Sequence, residues 1–231
     1  MFTDTQLDVL RAFDTPTMCN AIEVICPERR GLGFTIDPVV CLDPTAAPIV
    51  GYARTGTMRA LQPSGRNASD DLDVRIGYYR HIAEGPGPTI TVIEDIDPHP
   101  GFGALWGEVN SNLHRALGSL GVVTNGSIRD IDDWADNFQA LAGMVNPSHG
   151  WVHVVDYGIP VTVHGMQVKP GDLIHADRHG AVVVPPEAVA EIEATVASIA
   201  RAEARLIEPA KAGTLNIEML VSLLNPKGND H

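Results

Sequence analysis

The sequence predicts an α/β fold, a compact α/β sandwich in a single domain over residues 1–231. Two observations lead there. The middle of the chain alternates apolar β runs with stretches of helical spacing, and from residue 151 onward it becomes a series of short, closely spaced strands. A third observation sets the domain count: no internal repeat and no low-complexity linker divides the 231 residues.

Each element follows from local pattern. Residues 3–13 and 17–25 read as short helices, the second started by Thr15-Pro16-Thr17 with Thr15 or Thr17 as cap. The Gly-, Pro- and Val-rich stretch after residue 31 holds strands near 36–42 and 49–59. DDLDVRIGYYRHIAE, residues 70–84, has the apolar spacing of a helix, ended by Gly85-Pro86-Gly87-Pro88. TITVIED, 89–95, is a strand, and DPHPGFG a loop. The next helix starts near Gly107 and stops at Gly118 or Gly121, with Val109, Leu113, Ala116 and Leu117 as its apolar face. Strand 121–124 and a short helix over 131–141 follow. WVHVVDY, IPVTVHGMQV, DLIHA and GAVVVP, separated by Gly-Met and Lys-Pro-Gly-Asp turns, have the signature of a β-meander. A long amphipathic helix, 186–212, closes the pattern.

Composition excludes several classes. The net charge is −13 and no Lys/Arg cluster forms a basic face, so nucleic acid is not expected as a partner. No apolar run approaches the ~18 residues of a membrane helix. Met1 leads into Asp4 without a basic and apolar leader, so no signal peptide is expected. Three cysteines at uneven spacing, Cys19, Cys26 and Cys41, argue against a disulfide framework and for a reducing cytoplasm. Cys19 reads as a small buried thiol, because nothing nearby marks a paired base.

The chemistry is expected around Glu108 and Arg129-Asp130. Twenty residues separate Glu108 from Arg129. A helix and a returning strand of that length bring both to one edge of the sheet, where open α/β sheets bind ligands. Unpaired amides at the N-terminus of the helix favour an anion. Arg129 can grip a carboxylate or keto oxygen as a charged fork, and Asp130 and Glu108 can hold a hard divalent cation directly or through water. The alternative is a surface Arg-Asp pair that contributes little.

GEVNSNLHRALGSLGVVTNGSIRDIDD, followed by IPVTVHGMQVKPGDLIHADRHGAVVVP, resembles the RraA-like family, which includes the divalent-metal (class II) pyruvate aldolases acting on 4-hydroxy-4-methyl-2-oxoglutarate and 4-carboxy-4-hydroxy-2-oxoadipate. The resemblance covers roughly residues 14 to 213 and rests on an acid, twenty residues, Arg-Asp, and another acid three positions on: Glu108, Arg129, Asp130 and Asp133. It implies an α/β/β sandwich of the swivelling type, assembled as a homotrimer or homohexamer. It implies Mg²⁺ or Mn²⁺ on Asp130, with Glu108 reaching it through water. Arg129 would contact the keto acid, and the amides of Gly107, Glu108 and Val109 would cradle its carboxylate. A further water-held contact would come from a glutamate on the C-terminal helix of a neighbouring subunit, matched here by Glu203, or by Glu208 if the alignment shifts.

The activity so implied is C–C cleavage of a 4-hydroxy-2-oxo acid through a metal-stabilised enolate, releasing pyruvate, with oxaloacetate decarboxylation alongside. No lysine lies in the motif, so a Schiff base is not expected. Metal-bound water held by Glu108 is the candidate base. Several residues depart from the family pattern. Asn125-Gly126 replaces Asp-Gly, with the same left-handed turn expected. Glu108 stands where the best-known aldolases have Asp, and MVNPSHGWVHVVDYG, with His149 and His153, is unusual. His99 and His114 flank the pocket in sequence and are candidates to touch substrate. His175, Asp177 and His179 read as structural or surface residues rather than a second metal site. Two other classes compete. A non-catalytic regulator that binds an RNA-degrading enzyme is the alternative the family allows. A methyltransferase would need a Gly-rich nucleotide loop after the first strand, and the sequence has none.

Overall fold

A computed structural model describes residues 1–225. The chain opens with α1 (Asp4–Arg11) and α2 (Thr15–Ile25), then a 3₁₀ turn, β1 (Val40–Cys41) and the long β2 (Ile49–Arg59). Next come α3 (Ala68–Ala83), β3 (Thr89–Asp95), β4 (Ala104–Trp106), α4 (Glu108–Ala116) and β5 (Ser119–Thr124). The strands β6 (Ser127–Ile128), β7 (Gln139–Ala142), β8 (Met144–Val145) and β9 (His153–Tyr157) follow. β10 (Val161–Val163), β11 (Met166–Val168), β12 (Leu173–Asp177) and β13 (Gly180–Val184) precede α5 (Ile192–Lys211) and α6 (Ile217–Leu224).

The main sheet runs β1-β7-β5-β3-β2-β12-β13, and β2, β3, β5 and β7 are mutually parallel. β2 shares its other edge between two antiparallel partners. Ile49–Tyr52 pair with β12, and Gly56–Arg59 with β9 across an irregularity at Thr57/Met58. The period-2 alternation of a strand assigns the apolar side chains to two faces. Ile90, Val92, Val123 and Leu141 face the β10–β11 hairpin through its Val161, Val163, Met166 and Val168. Ile93, Val122 and Ala140 face α3 and β4 through Tyr78, Ile82 and Trp106. Because both faces are covered, the central strands read as continuous apolar runs. The result is an α/β/β layering, with α1 and α2 packed separately on β2, β12 and β13.

Four expectations from the sequence do not hold. Residues 131–137 are turns rather than helix, and 139–142 is β7. Asn137 sits at φ 58, which no helix continues, and Gln139–Leu141 complete the sheet on β5. Tertiary pairing outweighs local propensity there. The meander is not one: β9 and β12 both return to β2, and only β10–β11 and β12–β13 are hairpins. The long C-terminal helix begins at Ile192 rather than 186, after Pro185-Pro186 and a run of turns.

The fourth concerns α4. Val109 and Leu113, expected to be buried, are 67% and 43% exposed, and Ala116 is exposed as well. The polar side turns inward instead, because Ser111 and His114 find partners there. Ser111 Oγ accepts from Ala135 N (3.1 Å) and donates to Glu108 O (2.9 Å). His114 donates from Nδ1 to Asn110 O (2.7 Å) and accepts at Nε2 from the buried Tyr78 hydroxyl (2.8 Å). Hydrogen bonding thus overrides the apolar stripe.

Candidate active site

A second, three-stranded parallel sheet, β4-β6-β8, builds the site. Its carboxyl ends lead into Gly107-Glu108, Arg129-Asp130 and Asn146 respectively. These three loops meet at one edge, as ligand sites do in parallel sheets. The edge is held by backbone. Arg129 N donates to Trp106 O (2.9 Å), Asn146 N to Ile128 O (3.0 Å), and Trp134 Nε1 to Arg129 O (2.7 Å). Asn146 Nδ2 also donates to Gly101 O and Phe102 O, tying in the loop before β4.

Asp130 is the centre of this arrangement. Its φ is 52, the left-handed region that Asp and Asn tolerate better than most residues. That backbone turns the carboxylate back over the start of α4. Oδ2 lies 3.4 Å from the Glu108 amide and 3.4 Å from Arg129 Nε, while Asp133 N donates to Asp130 O (3.0 Å). The side chains of Arg129 and Asp130 are 35% and 38% exposed, so the pair is open to a ligand and contributes little to stability. Gly107 makes the approach possible: a Cβ there would stand 2.5 Å from Asp130 Oδ2 and 3.1 Å from Arg129 Cγ. Gly107→Ala should therefore push the carboxylate aside and lower turnover roughly 10²-fold, as ångström-scale misplacement does. Parallel kinetics and a thermal melt check this, since the expected result is lost activity with the melt little changed.

The first turn of α4 has no side-chain cap from Gly107, so its amides face the loop edge. Glu108 is exposed and Val109 lies on the outer side of the helix. Together these groups offer an amide cradle, a guanidinium and oxygen-only carboxylates. That donor set suits a hard divalent cation held largely by water. The carboxylates of Glu108, Asp130 and Asp133 do not gather into a three-ligand cluster. Among the described residues such a cluster occurs at Cys26, Glu28 and Glu187, where burial raises the pKa of the thiol above its ordinary value and disfavours the thiolate ligand. Glu203 and Glu208 are exposed on α5, which packs on α1, α2 and α6. Neither makes a hydrogen bond or ion pair with the Arg129–Asp130 pair.

His114 is not available to substrate. It is fully buried behind Trp106, and burial holds its pKa down, to about 4. The unfolded chain takes up this proton near 6.5, so between the two values the unfolded state binds more protons. Stability from the neutral ring is present above about pH 6.5 and is lost as pH falls toward 4, by at most about 3 kcal/mol. Urea midpoints should fall between pH 7 and 4.5, and His114→Gln should flatten that slope.

His99 and His149 are exposed, and His149 and His153 each use Nδ1 on a nearby carbonyl, of Gly150 and Trp151. His175 is buried between Thr15 Oγ1 and Phe13 O, while Asp177 receives Thr15 N and His179 N. These anchor the start of α2 on the β12–β13 hairpin. Burial raises the pKa of Cys19 to about 11, which makes it a poor nucleophile.

One contributor was not anticipated. Asn125 clamps the end of β3 through its amide, accepting from Asp95 N (2.8 Å) and donating to Asp95 O (3.0 Å). An aspartate could not make the second bond. Neither Asn125 nor Gly126 has a positive φ, so the left-handed turn expected there is absent, and the left-handed residue of this segment is Asp130. The cue lay in the sequence, since asparagine both donates and accepts.

An α/β/β sandwich with an acid, an arginine and an aspartate at the ends of a small parallel sheet defines the class. The profile described as RraA-like, Aldolase/RraA, matches residues 15–183, well over half of the chain, and the chain belongs to that family. A protein named "Putative 4-hydroxy-4-methyl-2-oxoglutarate aldolase" from Halalkalibacterium halodurans is 27% identical over 186 residues, 79% of each chain. One of the same name from Ectopseudomonas mendocina is 36% identical over 87 residues, 36% of this chain and 52% of that one. Protein MJ0644 of Methanocaldococcus jannaschii is 32% identical over 107 residues, 46% of this chain and 51% of that one. The match thus spans about half the length of the latter two. A crystal structure from Pseudomonas syringae superposes with TM-score 0.70 at 23% identity, covering 96% of this chain and 95% of that one. Streptomyces coelicolor RraAS2, described as an unusual member of the RNase ES inhibitor RraA family, gives 0.64 at 20% identity, covering 91% and 97%. Among the described residues no helix is long and apolar enough to cross a membrane.

Proposed function

We propose that this chain is a carbon–carbon lyase that uses Mg²⁺ or Mn²⁺ to release pyruvate from a 4-hydroxy-2-oxo acid, with oxaloacetate decarboxylation as a side activity. The observation that carries it is the convergence of the Glu108 amide, the Arg129 guanidinium and the Asp130 carboxylate at one sheet edge. A divalent ion, bound by Asp130 with Glu108 acting through water, supplies Lewis-acid stabilisation of charge on the keto oxygen. The amides at the start of α4 bind the substrate carboxylate, with the helix dipole in their favour. Arg129 faces the keto oxygen, where negative charge grows as the C–C bond breaks. Glu108, exposed at the rim, takes the proton of the 4-hydroxyl group through a water. His114, buried and tied to Tyr78, takes no part.

The chain is further proposed to act as a homotrimer or homohexamer, with Glu203 of one copy completing the site of its neighbour through water. Exposed apolar residues around the site support association. Val109, Leu113, Ile131, Met144 and Val145 are all more than two-fifths exposed, a patch of the sort that marks interfaces. The competing reading is a non-catalytic regulator of an RNA-degrading enzyme, favoured by the description of the Streptomyces structure.

The test is pyruvate release over a panel of 4-hydroxy-2-oxo acids and oxaloacetate, with and without EDTA. Turnover that EDTA abolishes and Mg²⁺ or Mn²⁺ restores is expected. No turnover on any member, with a nuclease captured in a pull-down, would favour the regulator. Mixing inactive Asp130→Asn and Glu203→Ala proteins under subunit exchange should restore part of the activity, because some sites then pair an intact Asp130 with an intact neighbouring Glu203. No recovery after exchange confirmed by mass removes Glu203 from the site.

A further inference from the structure

The first turn of α4 is held from its carbonyl side. Its N-cap is Gly107, which has no side chain to take up an amide, so the amides of Glu108 and Val109 have no partner within the helix. Behind them come Asn110, Ser111, Asn112 and His114. Asn and Ser are neutral to poor inside helices, because their side chains compete for backbone groups. Here that competition is directed at carbonyls. Asn110 Nδ2 donates to Leu105 O (2.6 Å), Ser111 Oγ and Asn112 Nδ2 donate to Glu108 O (2.9 and 2.8 Å), and His114 Nδ1 donates to Asn110 O (2.7 Å). Ser111 N closes the first helical bond on Gly107 O (3.0 Å).

Asn110 joins three elements. From α4, its Nδ2 reaches back to the carbonyl of Leu105 on β4, and its Oδ1 accepts from the Tyr79 hydroxyl on α3 (2.8 Å). One orientation of the amide satisfies both bonds, and an aspartate of the same size has no donor for the first. Tyr79 is half-buried, and burial holds its phenol above its ordinary range, so it remains a donor. Its ring meets the His114 ring edge-on, with centroids 5.6 Å apart, and His114 Nε2 takes the Tyr78 hydroxyl (2.8 Å). The side-chain polar groups of Tyr78, Tyr79, Asn110 and His114 all have partners in this network, and a fully satisfied network fixes one arrangement.

We propose that Asn110 is a positioning residue of the lyase site: with Tyr79 it locks the first turn of α4 onto β4 and α3, and so presents the Glu108 and Val109 amides ready-made to a substrate carboxylate. An ordinary cap would order the same turn by consuming an amide. Anchoring the carbonyls instead orders the turn and leaves the amides to the ligand. Donors fixed in advance need no ordering when the ligand arrives, which is where preorganisation gains affinity. Asn110 itself does not touch substrate in this scheme, since both ends of its amide are taken by Leu105 and Tyr79. The inference rests on the proposed function only for what the amides bind; the locking of the turn stands on the bonds above.

Backbone amide order parameters of the full chain, free of ligand, read the turn without turnover. In the wild type Glu108 and Val109 should be as ordered as regular backbone, about 0.85, and in Asn110→Ala and Asn110→Asp they should fall below about 0.6 while residues 113–116 hold. Both replacements favour a helix, because alanine is the best helix former and an acid in the first turn meets the positive end of the dipole. Circular dichroism should therefore stay unchanged, and loosened amides then report the lost anchor rather than a weakened helix. Tyr79→Phe removes one hydroxyl, leaves no void, and should loosen the same two amides. In pyruvate release, Asn110→Ala should raise KM roughly tenfold with kcat little changed, the pattern of lost ground-state binding. Order parameters unchanged in Asn110→Asp or in Tyr79→Phe, or lowered along the whole of α4, would overturn the proposal, as would a fall in kcat at constant KM. If the wild type releases no pyruvate, the lyase reading fails, and the order parameters still decide whether Asn110 locks the turn.

Discussion

Asp130→Asn is expected to abolish pyruvate release and to remove Mn²⁺ binding measured by calorimetry, while leaving the fold intact. Asparagine is the informative replacement. It tolerates the left-handed backbone at φ 52 nearly as well as aspartate, so only the charge changes. Alanine at this position adds a backbone cost of about 1–2 kcal/mol and mixes two effects. The loss should be near complete for a geometric reason. Asp130 is the carboxylate aimed at both Arg129 and the start of α4, and no third carboxylate is gathered with it and Glu108 to compensate. Full turnover by Asp130→Asn, or by enzyme stripped with EDTA, contradicts the proposed chemistry.

The second large effect is at Arg129. Arg129→Ala should lower kcat by roughly 10²–10³-fold, as removal of one oxyanion donor does. The backbone there is pinned independently of the side chain, by Arg129 N on Trp106 O and Trp134 Nε1 on Arg129 O, so the fold should survive. Arg129→Lys should recover little, because an ammonium lacks the planar fork. A rise in KM with kcat unchanged would mean that Arg129 binds the ground state only.

Much of this molecule is legible locally. TITVIED is β3 residue for residue, whereas the helices expected over 17–25 and 70–84 start earlier, at Thr15 and Ala68, because Asp14 rather than Thr15 or Thr17 caps the one and Asn67 caps the other. The meeting of Glu108, Arg129 and Asp130 at one strand edge, the ground of the proposed site, is legible too, through their spacing. The unread parts share a cause. β4, β6 and β8 are two or three residues long, too short for any periodicity to register, yet their pairing is what brings the three loops together. β7 lies in a stretch of helical appearance and becomes a strand only because β5 offers an open edge.

Sequence alone determined the α/β class, the central strands and which residues the proposed site draws on, because these depend on short patterns and spacings. Tertiary structure decided which face of α4 is buried. There the hydrogen bonds of Ser111 and His114 with Ala135, Asn110 and Tyr78 outweigh an apolar stripe, and the stripe is left outward beside the site. It also decided the conformation of Asp130. A left-handed backbone at a non-glycine residue persists only where its surroundings hold it, here Gly107 without a Cβ on one side and the Asp133 amide on the other. Each outcome depends on a long-range contact as well as local ones, Ser111 with Ala135 and His114 with Tyr78 in the first and Gly107 with Asp130 in the second, and such contacts leave no periodic trace in the chain.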